Sequence, residues 1–210
     1  MFPKPVQQLI YLFAKLPGIG PRAAVRFAFF VLNERADFAN ELSDVLRNIH
    51  GKMRLCAQCF RLTERLPDET TMHCDFCRDT RRDAKIITVV EKESDMQNIE
   101  KIGIYSGLYH MLGGVISPLD SDSPKKLHLR DLHDRVKNLL AEKGSCEVIL
   151  GTNPTTEGDI TALYLERILS PLKQKHETFK LSRLARGLSL GSELEYADEI
   201  TLRNALMNRK

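Results

Sequence analysis

Four of the five cysteines fall into two pairs, each with two residues between its members. Cys56 and Cys59 form the first pair, and Cys74 and Cys77 follow after fourteen intervening residues. Such a pair can place two thiolates on one metal ion from a tight turn, and two pairs complete a closed tetrahedral site. The pattern predicts a structural zinc ion, because four thiolates leave no open position for catalysis. The alternative is a set of buried free thiols or a redox pair.

Residues near these pairs are less informative. His73 stands beside Cys74 and is interpreted as a bystander rather than a ligand. Pro67 and Asp68 predict a turn in the loop between the pairs. Cys146 lies in the predicted strand 146–150 and is predicted to be a core residue. The odd number of cysteines and the length of 210 residues both argue against a disulfide scaffold.

A second group of residues is suited to binding phosphate. Gly18 and Gly20 lie in the segment LPGIGPRAA between two helical patterns. Glycines let the backbone approach a phosphate closely, and the N-terminus of the following helix adds its dipole. Arg22 and Arg26 fall one turn apart on that helix, so they can neutralise neighbouring phosphates independently of base sequence. The alternatives are a solvated helix face and a protein-interaction hairpin.

The charge of the chain is concentrated at its N-terminal end. The formal net charge is +3, but residues 1–85 contain 14 basic and 10 acidic residues, and residues 86–210 contain 17 and 18. A local basic face attracts phosphate whatever the charge of the rest of the protein. The distribution therefore favours the N-terminal hairpin as a site for nucleic acid.

Three carboxylates follow predicted strands. Glu91 ends the β-branched run 86–90, and Glu157 and Asp159 follow the run 146–150 at the start of a helix. Because the carboxyl ends of parallel strands share one edge of a sheet, we expect these groups to converge there. Clustered carboxylate oxygens suit Mg²⁺, which makes this ion a second candidate cofactor. The alternative is that the two helical acids only complement the helix dipole.

The remaining pattern predicts an α/β protein with a mostly parallel sheet. Strands and helices alternate after residue 85, which requires right-handed crossovers. No apolar run approaches the roughly 18 residues of a membrane helix, and we identify no signal peptide, so a cytoplasmic protein is expected. Strands are predicted at 86–90, 109–112, 146–150 and 178–181, and helices at 6–16, 22–33, 37–53 with Asp37 as its cap, 95–102 capped by Ser94, 128–143 closed by Gly144, 158–172 and 196–208.

With these features in this order, the chain resembles the RecR family of bacterial recombination mediators over nearly its whole length. The resemblance implies a helix-hairpin-helix module at 1–53, a four-cysteine zinc finger at 54–84, a Toprim domain at 85–181 and a C-terminal oligomerisation or partner segment at 182–210. It is carried by the segments LPGIGPRAAVRFAF, CAQC to CDFC, ITVVEKESDMQNIE, YHMLGGVISPLD, EVILGTNPTTEGDITALYL and LARGLSLGSELEYADEITLRNAL.

The resemblance implies a non-catalytic DNA-repair factor. Such a protein acts with RecO and RecF to load the recombinase at gapped or single-stranded DNA, as a homo-oligomer whose tetrameric ring encircles DNA. Arg22 and Arg26 match positions associated with DNA contact. Glu91, Glu157 and Asp159 match Toprim acids that are tied to RecO contact rather than to cleavage.

The sequence departs from the family at a few positions. Residues 121–124 replace a Gly-rich step, and Ser189 and Ser192 stand where Pro and Gly are common. No GxxxxGK[ST] segment is present, so we predict no ATPase activity. The alternative functions are a Toprim-type Mg²⁺-dependent nuclease or other DNA-processing enzyme, and a zinc-stabilised interaction domain that binds no DNA. A topoisomerase would need a nucleophilic tyrosine, and the predicted contexts of Tyr105, Tyr109, Tyr164 and Tyr196 give none of them an obvious exposed role.

Overall fold

The computed structural model describes residues 2–65, 72–185, 187–188, 191, 193–207 and 209. The chain forms two compact units: one contains the first three helices, and the other contains the cysteine pairs and the main sheet. The predicted turn at Pro67 and Asp68 lies outside the described residues, as do Ser189 and Ser192. The two units are described in turn.

The first unit consists of α1 (Lys4–Ala14), α2 (Pro21–Asn33) and α3 (Ala36–Lys52). The fully buried residues of α2 are Ala24 and Ala28, while 53% of Phe30 is exposed. Two alanines one turn apart leave room for α1 to approach closely, so the methyl groups are enclosed and the larger rings lie at the rim.

Aromatic rings contribute much of the contact in this unit. Phe13 and Phe27 meet edge to face with their centroids 6.0 Å apart, and Phe30 and Phe38 do so at 5.7 Å. Pairs of this kind add roughly 0.5–1.5 kcal/mol beyond the area that they bury. The unit is therefore stabilised by ring edges around a small alanine-lined centre.

Two predicted helix caps are wrong. α3 begins at Ala36, and Asp37 lies within its first turn, where its carboxylate accepts a hydrogen bond from the Arg35 side chain. In the second unit, α5 (Glu93–Ile102) begins before Ser94, and the Asp95 carboxylate accepts the N–H of Lys92 instead. In both cases an acid inside the first turn reaches back toward the chain before the helix.

The second unit is built on a parallel four-stranded sheet with the strand order β4-β3-β5-β6. The predicted α/β class is confirmed, and β5 has the predicted bounds. The strands of this sheet are β3 (Asp83–Val90), β4 (Gly107–Met111), β5 (Cys146–Leu150) and β6 (Phe179–Arg183). The helices are α4 (Asp75–Arg78), α5 (Glu93–Ile102), α6 (Leu129–Lys143), α7 (Thr156–Lys175) and α8 (Glu199–Met207). A separate two-stranded sheet is formed by β1 (Met53–Leu55) and β2 (Leu62–Glu64).

The central strand β3 is buried on both faces, as its β-branched sequence predicts. Ile87 and Val89 belong to the main apolar cluster, which includes residues of α6 and α7. Val90 belongs to a second cluster with Met96 and Tyr109. Cys146 is 2% exposed and lies in the main cluster, so its assignment as a core residue is confirmed.

Helix ends on this unit position the loops at the sheet edge. α6 ends at Lys143 and is closed, as predicted, by Gly144, whose φ of 69° is left-handed. α7 begins at Thr156, where the Thr155 hydroxyl accepts the N–H of Gly158 at 3.1 Å. In the described part of the chain, no helix has the length and apolar character that a membrane crossing demands.

His110 on β4 is a fully buried titratable group. Its Nε2 lies 2.8 Å from the carbonyl oxygen of His128, which requires Nε2 to donate the hydrogen bond and leaves Nδ1 unprotonated. Burial, reinforced by the nearby Arg135 cation, lowers the pKa of His110 to about 3. The imidazole is therefore neutral in the folded protein at neutral pH.

We predict that this histidine destabilises the fold in acid. The pKa is lower in the folded than in the unfolded state, so the unfolded chain binds more protons below about pH 6.5. Stability should fall by up to about 1.4 kcal/mol per pH unit as the pH drops from 6.5 toward 3. Urea unfolding compares how the free energy of unfolding depends on pH in the wild type and in His110→Gln, whose amide can still donate to His128. Parallel stability curves between pH 7 and 4.5 would contradict the prediction.

Candidate functional site

The four paired cysteines converge on one point. All four sulfur atoms lie within 4.8 Å of one another, and Cys56, Cys59 and Cys74 are buried. A tetrahedral site with Zn–S bonds of about 2.3 Å has sulfurs about 3.8 Å apart, and Cys59 Sγ lies 3.5 Å from Cys74 Sγ. Among the described residues, this is the one group of three or more His, Cys, Asp or Glu side chains so arranged. The four cysteines are thus positioned to bind a metal ion.

Tight turns bring each pair together. In the first, the N–H of Phe60 donates to the carbonyl of Cys56 at 3.0 Å, and Phe60 takes a left-handed φ of 60°. In the second, Cys74 is the N-cap residue of the short helix α4. The N–H of Cys74 donates to Cys56 Sγ at 3.2 Å, which joins the two turns.

The thiols titrate as a coupled set. Hydrogen bonding from neighbouring thiols, chiefly Cys59, lowers the pKa of Cys56 well below its ordinary value. The first thiolate is therefore stabilised by the protons that remain on its neighbours. A metal ion would displace those protons, because thiolates are the ligands. His73 is exposed and lies outside the four-cysteine group.

The cysteine module is attached to the sheet through Phe76, which lies between the two cysteines of the second pair. The guanidinium of Arg61 lies 4.5 Å from the centroid of the Phe76 ring, and that of Arg82 lies 4.3 Å from it. Arg82 also donates to both oxygens of Glu100, at 3.0 and 2.6 Å, and Tyr109 donates to Glu100 at 2.6 Å. The aromatic ring is therefore held by cations that are themselves fixed by the sheet and α5.

Backbone hydrogen bonds add to this attachment. The N–H of Met111 on β4 donates to the carbonyl of Cys59 at 2.8 Å. Arg135 on α6 donates to the carbonyls of Gln58 and Tyr109, at 3.2 and 2.7 Å. The position of the first cysteine pair is therefore coupled to the sheet.

Glu91 is placed at the carboxyl end of β3, as predicted, but its oxygens are already engaged. Its side chain is 6% exposed, Oε1 accepts the N–H of Asn153 at 2.7 Å, and Oε2 accepts the side-chain amide of Asn153 at 2.5 Å. A Cβ at Gly158 would overlap the Asn153 carbonyl and lie 3.0 Å from Glu91 Oε1. Glu91 therefore lies against the first turn of α7 and holds the preceding loop.

Glu157 and Asp159 lie in that first turn and have different surroundings. Glu157 is exposed. Asp159 accepts a hydrogen bond from Arg183 at 2.5 Å, and Arg183 also lies 3.4 Å from the Thr152 hydroxyl. Sequence reasoning missed both Asn153 and Arg183. Their positions after β5 and at the end of β6 were the available signal, since both strands end at the same sheet edge.

This arrangement of residues does not fit a bound Mg²⁺. Mg²⁺ needs carboxylate oxygens that are free to approach to about 2.1 Å, whereas Glu91 is occupied by Asn153 and Asp159 by a guanidinium. Ionisation of Tyr105, which precedes β4, and of Tyr109 on β4 is disfavoured. Burial raises the pKa of Tyr105 to about 12, and burial and Glu100 raise the pKa of Tyr109 further.

The N-terminal hairpin presents its glycines and arginines to solvent. Gly18 has a left-handed φ of 79°, which closes the turn after α1, and the carbonyl of Gly20 accepts the N–H of Ala24 at 3.0 Å. Arg22 and Arg26 are exposed, and the first turn of α2 contains no acidic residue. The first N–H groups of a helix have no intrahelical partner, so this end of α2 is suited to an anion.

Comparison with known proteins covers the same regions. Residues 6–50 match the family model for the RecR helix-hairpin-helix, residues 85–185 match the Toprim domain, and residues 187–210 match the RecR C-terminal model.

Relatives match the chain along its whole length. Proteins named recombination protein RecR are 46% identical in Cutibacterium acnes, 42% in Myxococcus xanthus and 41% in Rubrobacter xylanophilus. Each match covers 100% of this chain, and it covers 96, 99 and 98% of the respective relative. With identities above 40% over full length, the chain belongs to the RecR family of recombination proteins.

Proposed function

We propose that the protein is a DNA-binding mediator of recombinational DNA repair that performs no catalytic step itself. The family name supports a role in recombination. The observation that carries DNA binding is the exposed hairpin, where a helix N-terminus without acidic residues stands beside Arg22 and Arg26. Two of the three Toprim carboxylates support a non-catalytic role, because Glu91 is engaged by Asn153 and Asp159 is paired with Arg183.

The surroundings of Gly20 add to the argument for phosphate contact. Its φ of −78° is open to any residue, and a Cβ there would meet no atom within 4 Å. The fold itself therefore does not require glycine at this position, whereas Gly18 is required by its left-handed φ. A phosphate group of the DNA backbone that approaches the N–H groups of α2 would occupy the space that a side chain at this position would fill.

The metal at the cysteine site is proposed to be a structural Zn²⁺, one per chain. Four thiolates in two CxxC turns are the donor set of structural zinc sites, and they leave no open position for a substrate. Cys56, Cys59, Cys74 and Cys77 would hold the ion, which would supply a cross-link between the two turns. The segment 54–84 would then be a zinc finger whose fold depends on the metal.

The proposed partners are DNA, RecO and RecF, with loading of the recombinase at gapped or single-stranded DNA as the outcome. Glu157 supports contact between the Toprim edge and a basic surface of a partner protein, because it is exposed in the first turn of α7. Glu91 and Asp159 would shape this surface from beneath. Since bacterial DNA lies in the cytoplasm, the mediator would act there.

A homo-oligomer, either a dimer or a tetrameric ring-like clamp, is also proposed. The first unit leaves many large apolar side chains uncovered, and such a surface is typical of a subunit contact. The side chains of the first unit that are at least 49% exposed are Tyr11, Leu12, Leu16, Phe30, Leu32, Val45 and Leu46.

The proposed domain organisation is 1–53 for the helix-hairpin-helix, 54–84 for the zinc finger, 85–181 for the Toprim domain and 182–210 for the oligomerisation or partner segment.

Loss of the two hairpin arginines should weaken DNA binding and reduce its salt dependence. Each phosphate contact on duplex DNA contributes about 0.9 to the slope of log K against log salt. Arg22→Ala with Arg26→Ala should therefore lower the slope by about 2. Fluorescence anisotropy with gapped DNA between low and moderate salt measures it, and Arg47→Ala, which removes an exposed arginine of α3, is the control. A slope equal to that of the wild type would count against the hairpin interface.

Gly20→Ser separates phosphate contact from folding. Serine is a preferred N-cap, so thermal stability should be unchanged or raised by a few tenths of a kcal/mol. The added side chain would obstruct a phosphate and compete for the helix N–H groups, so affinity for DNA should fall. Anisotropy and thermal unfolding are measured on the same preparation. Wild-type DNA affinity in this variant would mean that the hairpin does not approach a phosphate at Gly20.

Removal of one cysteine should release the metal and destabilise the zinc finger. Cys74→Ser is expected to reduce zinc content to well below one per chain and to lower the melting temperature by about 5–10 °C. Elemental analysis and calorimetry measure both effects. Cys146→Ala is the matched control, because this cysteine lies in the sheet core and should leave zinc content unchanged. A Cys74→Ser protein with full zinc content would overturn the assignment.

A further inference from the structure

The edge of the sheet where β3, β5 and β6 end contains a cation that the chain itself supplies. Arg183 is the last residue of β6, and its guanidinium is paired with Asp159 of α7 at 2.5 Å. The arginine side chain is 27% exposed and the aspartate side chain 42% exposed. The pair is thus partly shielded from water, which strengthens it relative to a fully exposed ion pair.

The neighbouring groups present hydrogen-bond donors rather than free ligands for another cation. Asn153 donates from its backbone and its side chain to the two oxygens of Glu91, and its side chain also lies 3.4 Å from Asp95. A cavity of about 310 Å³ adjoins these groups, with Asp95, Asn153 and Arg183 in its lining. A donor amide and a guanidinium therefore stand among the carboxylates, where a bound metal would require acceptors.

We propose that Arg183 acts as the resident cation of this carboxylate site and competes with divalent metal for Asp159. The residue neutralises Asp159, holds it toward the end of β6 and keeps the site closed to Mg²⁺. Arg183 is a positioning residue, since it acts through Asp159. A divalent ion can bind only when the guanidinium is displaced, and its affinity is reduced accordingly.

The role of Arg183 is independent of DNA binding by the hairpin. It depends on charge and position at the sheet edge and not on Arg22, Arg26 or the cysteine site. Failure of the DNA-binding predictions would leave it intact, and the reverse also holds. It explains why the carboxylates that the sequence assigns to a cation site do not converge on an open position.

Mn²⁺ titrations read by electron paramagnetic resonance test the competition, with the full chain loaded with zinc. The wild type and Arg183→Lys, which retains a cation, should leave added Mn²⁺ free. Arg183→Met removes the charge at similar side-chain length and should bind Mn²⁺ about tenfold more tightly. The added substitution Asp159→Asn should abolish that gain, which distinguishes this site from other acidic groups on the surface.

Two results would overturn the proposal. One is Mn²⁺ binding by the wild type with the affinity of Arg183→Met, and the other is an Arg183→Met protein that folds but gains no affinity. Circular dichroism establishes folding of each variant. If Arg183→Met does not fold, Arg183→Gln serves in its place, because its amide can still donate to Asp159 but carries no charge. The same gain in Mn²⁺ affinity is then required of Arg183→Gln.

Discussion

Four sulfur atoms take the place of an apolar core in the segment that precedes the sheet. Among the described residues of this segment, Cys56, Cys59 and Cys74 are the buried ones, and Phe76 and Cys77 pack against them. Without a metal, four thiols in this space share protons and repel once ionised. A metal ion would convert that repulsion into four bonds, so the segment would depend on the metal more than a segment with a conventional core does.

The consequences of this constraint extend into the sheet. The carbonyl of Cys59 accepts the N–H of Met111, and Phe76 lies between Arg61 and Arg82. Arg82 is in turn fixed by Glu100, which also accepts from Tyr109. Each contact requires the cysteine turns to be in place, so the metal site and the β4 edge of the sheet are stabilised together.

The features that sequence analysis predicted well are those in which a residue type has one physical use. The left-handed turn at Gly144, the strand β5 and the convergence of the cysteine pairs are of this kind. The predicted caps of α3 and α5 were wrong because several polar residues compete for the same N–H groups within one turn. A single sequence does not reveal which of them prevails.

The sheet edge shows why the carboxylate site could be located but not characterised. Parallel topology places Glu91 and the first turn of α7 together, and that much follows from the order of strands and helices. What those carboxylates bind depends on Asn153 and Arg183, which approach from the loop after β5 and from the last residue of β6. An asparagine and an arginine have many uses on a protein surface, so neither residue type predicts a particular role. At the hairpin the opposite holds, because the chain supplies exposed cations and leaves open the space beside Gly20. One site is neutralised from within and the other remains available to an external anion.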